Sequence, residues 1–365
     1  MNRIKARAPT ARGVVLTMVW GAVAVGYKWG CPTAQQDGFG ARVVTSAVFF
    51  AVGAGLILHV RGALLRELRQ ARRVARAAQS VVLRPPPPRL DGLVLAAAQL
   101  SAERGACVGG DLYEAIATEH GVRVVMGDVR GHGLTALGTV AAVLGSFREA
   151  AHDEPELGGV LRRLERALAR HLRERSRAEH PAHGGPDPDH PVAEEFVTVL
   201  LLEIDREGGV WALNCGHPWP YRISDARVEP LSRVDPLPPL GPFPLPKALE
   251  AHPCGPLLPG DSLVLFTDGV EDARDAKGRF FSLPTALREA VRDQPVSPQT
   301  ILRTLFTALL HHTGNGPRDD IAVLVLRNDR TRDKLSCPGA RDSEMYGSAA
   351  RARQAPTDPQ PTTHH

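Results

Sequence analysis

Four acidic sites in this chain stand where apolar runs begin or end. Gly110-Asp111 opens the run Leu112–Thr118, and the run Val122–Met126 leads into Gly127-Asp128, followed by Gly131-His132-Gly133. The run Ser262–Phe266 leads into Thr267-Asp268-Gly269, and Asp319-Asp320 opens Ile321–Leu326. An Asp-Gly pair taken alone is a turn signal. Four acidic sites at the ends of separate apolar strands call for something more, because an uncompensated carboxylate at such an edge is costly. Clustered Asp oxygens, backbone carbonyls and water suit Mg²⁺ or Mn²⁺ and not zinc. Two such ions a few ångströms apart make a hydrolytic site that activates a shared water and clamps a phosphoryl group for in-line attack. No nucleophilic side chain is then needed. None stands out, since there is no GxSxG and Cys107 has no phosphate-binding loop around it.

The elements that must position these aspartates are short and β-rich. Expected strands are Gly92–Leu100, Leu112–Thr118, Val122–Met126, Phe196–Ile204, Val210–Cys215, Ser262–Phe266 and Ile321–Leu326. Expected helices are Leu134–Ala151, Leu157–Glu174 and Pro298–His311. Tight turns join several of the strands, so the sheets should be largely antiparallel and the class α+β. The segment Ala178–Ala193, with its three histidines and three acids, invites a metal reading. Its prolines and glycines instead mark a loop without fixed ligand geometry. Residues 328–365 are polar and read as a disordered tail.

The N-terminus differs in kind. Gly13–Tyr27 carries no charge, and Val43–Val60 is uncharged apart from His59, so residues 1–60 read as a two-helix membrane hairpin. A signal-peptide reading of the first span lacks an A-x-A-like cleavage site after it. Arg3, Lys5, Arg7 and Arg12 precede the first span, and Arg61, Arg66, Arg69, Arg72, Arg73 and Arg76 follow the second. The positive-inside rule then places both termini and everything after Arg61 in the cytoplasm of a two-span cell-membrane protein. Residues 61–89 form a helical linker ending in Pro85–Pro88. Its apolar positions Leu64, Leu68, Ala71, Ala75, Ala78 and Val82 offer a coiled-coil seam for a homodimer through residues 64–82. The same basic helix also suits anionic membrane lipid, at about 1 kcal/mol per basic residue. A net charge of +4 over 365 residues speaks against nucleic acid as a partner. Five scattered cysteines without a CxxC pair fit neither a disulfide framework nor a zinc site.

In their order, the motifs resemble those of PPM-type metal-dependent protein phosphatases, in the bacterial SpoIIE-like branch related to phosphatase 2C. They are Val108-Gly-Gly-Asp-Leu-Tyr113, Gly127-Asp-Val-Arg-Gly-His-Gly133, Phe196-Val-Thr198, Asn214-Cys-Gly-His-Pro218, Pro239-Leu-Gly241, Pro259-Gly-Asp261, Thr267-Asp-Gly269 with Glu271 and Arg274, and Asp319-Asp320. The resemblance covers about Arg84–Arg327. It implies an αββα sandwich in residues 90–327 with two divalent cations, Mn²⁺ or Mg²⁺, at one end. Asp111 and Asp128 would bind and bridge the ions and carry catalysis, helped by the Val129 carbonyl, with Asp268 and Asp319 completing one ion's ligands. Asp320 would stand behind the ligands or face the substrate. His132 and His217 are either general acids or loop holders.

The resemblance further implies hydrolysis of phosphoserine or phosphothreonine on a cytoplasmic protein, an anti-sigma-factor antagonist or a kinase target, in signalling. An inactive membrane-tethered phosphoprotein-binding scaffold and a di-metal hydrolase of a small phosphoester are the alternatives. Every main metal position is acidic, which argues against the scaffold. Two departures stand out: Tyr113-Glu114 replaces the usual Tyr-Asp, and no Arg precedes Asp111 as a phosphate clamp. The orientation of the anchor can be tested by cysteine labelling of intact cells. The Cys31 region should label from outside and an Arg84→Cys variant should not; outside labelling at position 84 would overturn the cytoplasmic placement.

Overall fold

The structure is a computed structural model that describes residues 20–21, 39–100, 109–131, 133–179, 195–292, 297–314, 316–317 and 319–330. It divides into two compact units, Met1–Val81 and Val82–His365. In the first, a single helix α1 (Phe39–Val82, 44 residues) holds both the second apolar stretch and the helical linker. No Gly-Pro break lies between Val60 and Arg61, so nothing interrupts the hydrogen-bond ladder until the prolines after Leu83. Within α1, Ala47–Glu67 is long and apolar enough to cross a bilayer, and it is the one such stretch among the described residues. Of the expected first span Gly13–Tyr27 only Trp20 and Gly21 are described, with the Trp20 ring 5.4 Å from that of Phe49.

The second unit holds two antiparallel sheets. One contains β3 (Asp111–Thr118), β4 (Gly121–Val129), β5 (Val197–Ile204), β6 (Gly209–Cys215) and β9 (His252–Pro256), hydrogen-bonded in that order. The other runs β1 (Arg89–Leu90), β2 (Leu93–Leu100), β11 (Ile321–Asn328), β10 (Ser262–Phe266), β7 (Tyr221–Ser224) and β8 (Arg227–Pro230). Side chains alternate between faces along each strand. Val124, Met126, Leu200 and Leu202 therefore meet Leu263, Leu265, Leu324 and Leu326 in a layer between the sheets. Their neighbours Val125, Val199 and Leu201 pack outward on Val140, Leu144, Phe147, Leu161 and Leu164 of helices α2 (Leu134–Asp153) and α3 (Leu157–Glu179). On the far side Val264, Phe266, Val323 and Val325 pack on α4 (Leu283–Ala290) and α5 (Pro298–Thr313). Three apolar layers thus separate four, and the αββα architecture expected in residues 90–327 is present.

Several elements go beyond the sequence reading. The hairpin β7–β8 turns through Asp225 and Ala226, both at positive φ (47° and 65°), a conformation for which the sequence offers no glycine. Strand β9 contains Pro253, Gly255 and Pro256, which argue against a strand, and it is held at the sheet edge through a register shift at Val210/Trp211. The loop expected at 178–193 starts inside α3, which runs to Glu179. The rest of that loop, the tail beyond Arg330, and Cys31, Cys107, Val108, His132 and Cys337 lie outside the described residues.

One buried cation ties the helical layer to the sheet. Arg123 on β4 has no exposed surface. Its guanidinium donates to Glu203 Oε2 of β5 (2.7 Å), to the Ala151 (3.0 Å) and Pro155 (2.7 Å) carbonyls, and to that of Glu154. The Ala151 carbonyl lies in the last turn of α2, which leaves its carbonyls without intrahelical partners, and those of Glu154 and Pro155 follow directly, so Arg123 caps the end of α2 from the strand beneath it. Arg123→Leu would leave them and Glu203 without their cation. It should destabilise the protein by about 3 kcal/mol in urea unfolding, and an unchanged midpoint would show the clamp to be dispensable.

Candidate functional site

The inner layer turns polar at one end. The row Val122, Val124, Met126 on β4 continues to Asp128, and the row Ala115, Tyr113 on β3 continues to Asp111. Asp111 and Asp128 are direct cross-strand partners, so their side chains share a face. The neighbouring rows end likewise: Leu202, Leu200 in Thr198, and Ala212 in Asn214. From the other sheet come Thr267, two residues past Leu265, and Asp320, two before Ala322. Period-2 alternation in six strands thus delivers the polar groups to one place, and Thr267 Oγ1 closes the gap between sheets by donating to Asp111 Oδ2 at 3.2 Å.

Glycines permit the close approach. A Cβ on Gly110 would lie 2.2 Å from the Val129 carbonyl oxygen and 2.8 Å from Asp128 Oδ1, and one on Gly109 would lie 2.5 Å from Asp320 Oδ2. The Val129 carbonyl therefore sits beside Gly110, while the Val129 N–H donates to the Gly110 carbonyl at 3.1 Å. Beyond Val129 the chain turns into α2 through Gly131 and Gly133, whose φ values of 112° and 84° suit glycine alone.

Acidic charge is concentrated here. Asp111 is 1% exposed, and burial pushes its pKa well above the usual carboxylate range; Asp128, Asp320 and Asp268 add to this, and the Thr267 hydroxyl opposes it. Asp128 is pushed up to about 8, first by burial and then by the charges of Asp268, Asp319 and Asp320. Asp268 lies at the rim, and its pKa is raised by desolvation, Asp319 and Asp272. The five aspartates therefore feel one another across the end of the layer. Among the described residues, no three His, Cys, Asp or Glu side chains stand as a ready-made ion site. The donor set nonetheless fits a hard divalent cation: carboxylates from four separate segments, a carbonyl at Val129, and a mutual repulsion that positive charge would relieve.

Of the predicted ligand positions, Asp111, Asp128, Asp268 and Asp319 lie near enough for their charges to act on one another, and Val129 follows Asp128 on β4. Asp320 belongs with them more closely than expected, because its charge acts on both Asp111 and Asp128. Sequence reasoning gave no role to Thr198 and Thr267, although a lone Thr closing an aliphatic alternation was the available signal. His217 is buried, its Nδ1 3.0 Å from Thr198 Oγ1, and burial lowers its pKa to about 3. A ring held neutral in this way is a loop holder and a poor proton donor at neutral pH. Other motif residues also hold loops. Leu240 exchanges two 2.9 Å backbone hydrogen bonds with Val197, Asp261 Oδ2 accepts from the Leu258 N–H at 3.0 Å, and Arg274 stacks 3.9 Å over the Phe280 ring.

The raised carboxylates fix the sign of a pH effect. Asp128 holds its proton more tightly folded (about 8) than at its ordinary 3.8. The stability this gives is complete below about 3.8 and is lost as pH rises through about 8. In EDTA, the melting temperature should fall between pH 4 and pH 8, and Asp128→Asn should flatten that fall. A metal-free protein equally stable across this range would show that the carboxylates do not share a poorly solvated site.

The profile of stage II sporulation protein E (SpoIIE) matches residues 118–329, more than half of the chain. No curated protein matches the chain in sequence. Among solved structures, the SiaA-PP2C domain of Pseudomonas aeruginosa is similar at 18% identity and TM-score 0.53, over 73% of this chain and 98% of that one. The RsbU and RsbW domains of a Mycobacterium tuberculosis protein are similar at 22% identity and TM-score 0.51, over 67% of this chain and 62% of that one. The match thus spans less than two thirds of the mycobacterial chain. With the fold shared and the profile running from the last residue of β3 past the end of β11, the chain belongs to the SpoIIE family.

Proposed function

We propose that this chain is a membrane-anchored, metal-dependent phosphatase that hydrolyses phosphoserine or phosphothreonine on a cytoplasmic protein. The observation that carries the reading is the convergence of Asp111 and Asp128, paired across β3 and β4, with Asp268, Asp319 and Asp320. Asp111, Asp128 and the Val129 carbonyl would hold two Mn²⁺ or Mg²⁺ ions, and Asp268 and Asp319 would complete the ligands of one. Such ions, when bound, lower the pKa of water and neutralise phosphoryl charge. The chain's own residues orient the ligands through Thr267 and the Gly109–Gly110 approach, and the apolar layer behind Asp111 excludes bulk water from the inner side. At the outer side Asp268 and Asp319 are exposed, which suits a phosphate presented on another protein.

Membership of the SpoIIE family supports a role in signalling, with an anti-sigma-factor antagonist as the substrate. In this reading residues 1–60 anchor the protein by two spans, residues 61–89 link, residues 90–327 are the catalytic domain and residues 328–365 are a tail. The apolar stretch Ala47–Glu67 supports the anchor. The basic helix 61–82 would face membrane lipid, and its seam at 64–82 would pair two chains, with both termini in the cytoplasm.

The test is turnover of phosphoserine and phosphothreonine peptides, against nucleotide phosphoesters, by the full-length protein. Activity should require Mn²⁺ or Mg²⁺ and vanish in EDTA. Asp128→Asn should lower kcat by more than about 100-fold, beyond the loss typical of residues that merely support a metal ligand, and Asp320→Asn should be milder. Full activity in metal-free buffer would end the reading, and a preference for nucleotide substrates would move it to a small-phosphoester hydrolase.

A further inference from the structure

Asp128 is held from behind by a chain of polar contacts that the proposed chemistry does not use. Its partner across the β4–β5 ladder is Thr198. The Asp128 N–H donates to Thr198 Oγ1 at 3.1 Å, and the same oxygen lies 3.0 Å from His217 Nδ1 and 3.5 Å from the Asp128 carbonyl. A hydroxyl has one proton to give. Its oxygen can also accept twice, so the short contact joins Thr198 to His217 whichever of the two groups supplies the proton. His217 is held in turn by Asn214: the His217 N–H donates to Asn214 Oδ1 (2.9 Å), and Asn214 Nδ2 donates to the His217 carbonyl (2.8 Å). Asn214 and His217 are 5% and 3% exposed, so water does not compete for these contacts. Asn214 ends the inner row of β6 as Asp128 ends that of β4, which places the Asn214–His217 loop beside the ligand strand.

We propose that His217 is a positioning residue that, through the Thr198 hydroxyl, fixes the backbone of Asp128 and so the aim of its carboxylate, without taking part in proton transfer. The inference rests on the reading of Asp128 as a metal ligand. It gives the Phe196-Val-Thr198 and Asn214-Cys-Gly-His-Pro218 motifs one common purpose. Loss of the Thr198 hydroxyl or of its partner would leave the Asp128 N–H without its side-chain acceptor, and the end of β4 would then be held by backbone bonds alone, such as those from the Val129 N–H to the Gly110 carbonyl and from the Arg130 N–H to the Phe196 carbonyl.

The test measures Mn²⁺ binding to the full-length protein by calorimetry, metal-free melting temperature, and the pH profile of phosphopeptide turnover. Thr198→Val removes the hydroxyl at constant shape and Thr198→Ser keeps it; His217→Leu removes the hydroxyl's partner, and His217→Asn offers an amide near the Nδ1 position. The Val and Leu variants should bind Mn²⁺ roughly tenfold more weakly. The Ser and Asn variants should bind close to wild type, and His217→Asn should keep the wild-type pH profile. Wild-type Mn²⁺ affinity in the Val or Leu variant, or loss of one limb of the pH profile in His217→Asn, would overturn the proposal. Should the Val and Leu variants fail to melt cooperatively, His217→Gln, which reaches towards Nε2 and not Nδ1, decides the matter against His217→Asn: equal affinities overturn it. A wild-type protein that does not bind Mn²⁺ removes the proposed function and this inference together, whereas wild-type binding with unaltered variants removes the inference alone.

Discussion

Asp111 and Asp128 face each other at the end of an apolar layer where water solvates them poorly, and their repulsion is the constraint around which this end of the protein is arranged. A carboxylate pair on neighbouring strands is unfavourable on its own and worse near three more acids. The fold tolerates it because the three apolar layers behind it are continuous. Leu112 beside Asp111 on β3, and Val124, Val125 and Met126 leading to Asp128 on β4, have no exposed surface. Stability is thus generated along the strands and spent at their ends, where cations would recover it. The same logic accounts for the glycines at 109 and 110, since any Cβ there would push the carboxylates and the Val129 carbonyl apart.

Much of this fold was legible in the sequence because the main strands are covered on both faces. Val122–Met126, Phe196–Ile204, Ser262–Phe266 and Ile321–Leu326 are nearly uninterrupted apolar runs, and a run bounded by Asp-Gly or Gly-Asp is hard to mistake. What escaped notice lies where burial is partial. Strands β7 and β8 are short and half-exposed, and their turn uses Asp225-Ala226 without glycine. Helix α4 has only eight residues, fewer than periodicity can establish. The second apolar stretch and the helical linker that follows it form one helix, α1, with no proline between them.

The site was legible as a set of positions and less so as a set of roles. The departure from Tyr-Asp to Tyr113-Glu114 has a structural counterpart. Both Glu114 oxygens accept from Arg148 Nε at 2.9 Å, and Arg148 Nη2 reaches the Val82 carbonyl at 2.8 Å. Glu114 lies one residue past Tyr113 and so points to the outer face, towards α2, where the longer side chain is what meets Arg148. The acid at this position therefore serves the helix and not the metals, which sequence order alone could not reveal. His217 shows the converse: from sequence it reads equally as a general acid or a loop holder, and its burial and its contact with Thr198 favour the second.

The two central aspartates are held by different parts of the fold, and this has consequences for how the site responds to change. Asp128 is fixed within its own sheet, through Thr198 on the adjacent strand. Asp111 is fixed from the opposite sheet, through Thr267, whose hydroxyl also accepts the Ala322 N–H at 2.9 Å and so belongs to the β10–β11 ladder. The aim of Asp128 thus follows strand register, which side-chain alternation makes nearly all-or-none. The aim of Asp111 follows the spacing between the sheets, which the inner-layer side chains set and which a change of one methylene can shift. Strand pairing sets the spacing of the two residues, and the packing of Leu263, Leu265, Leu324 and Leu326 against Val124, Met126, Leu200 and Leu202 sets how Thr267 meets Asp111. In a sandwich built this way, the core is part of the site.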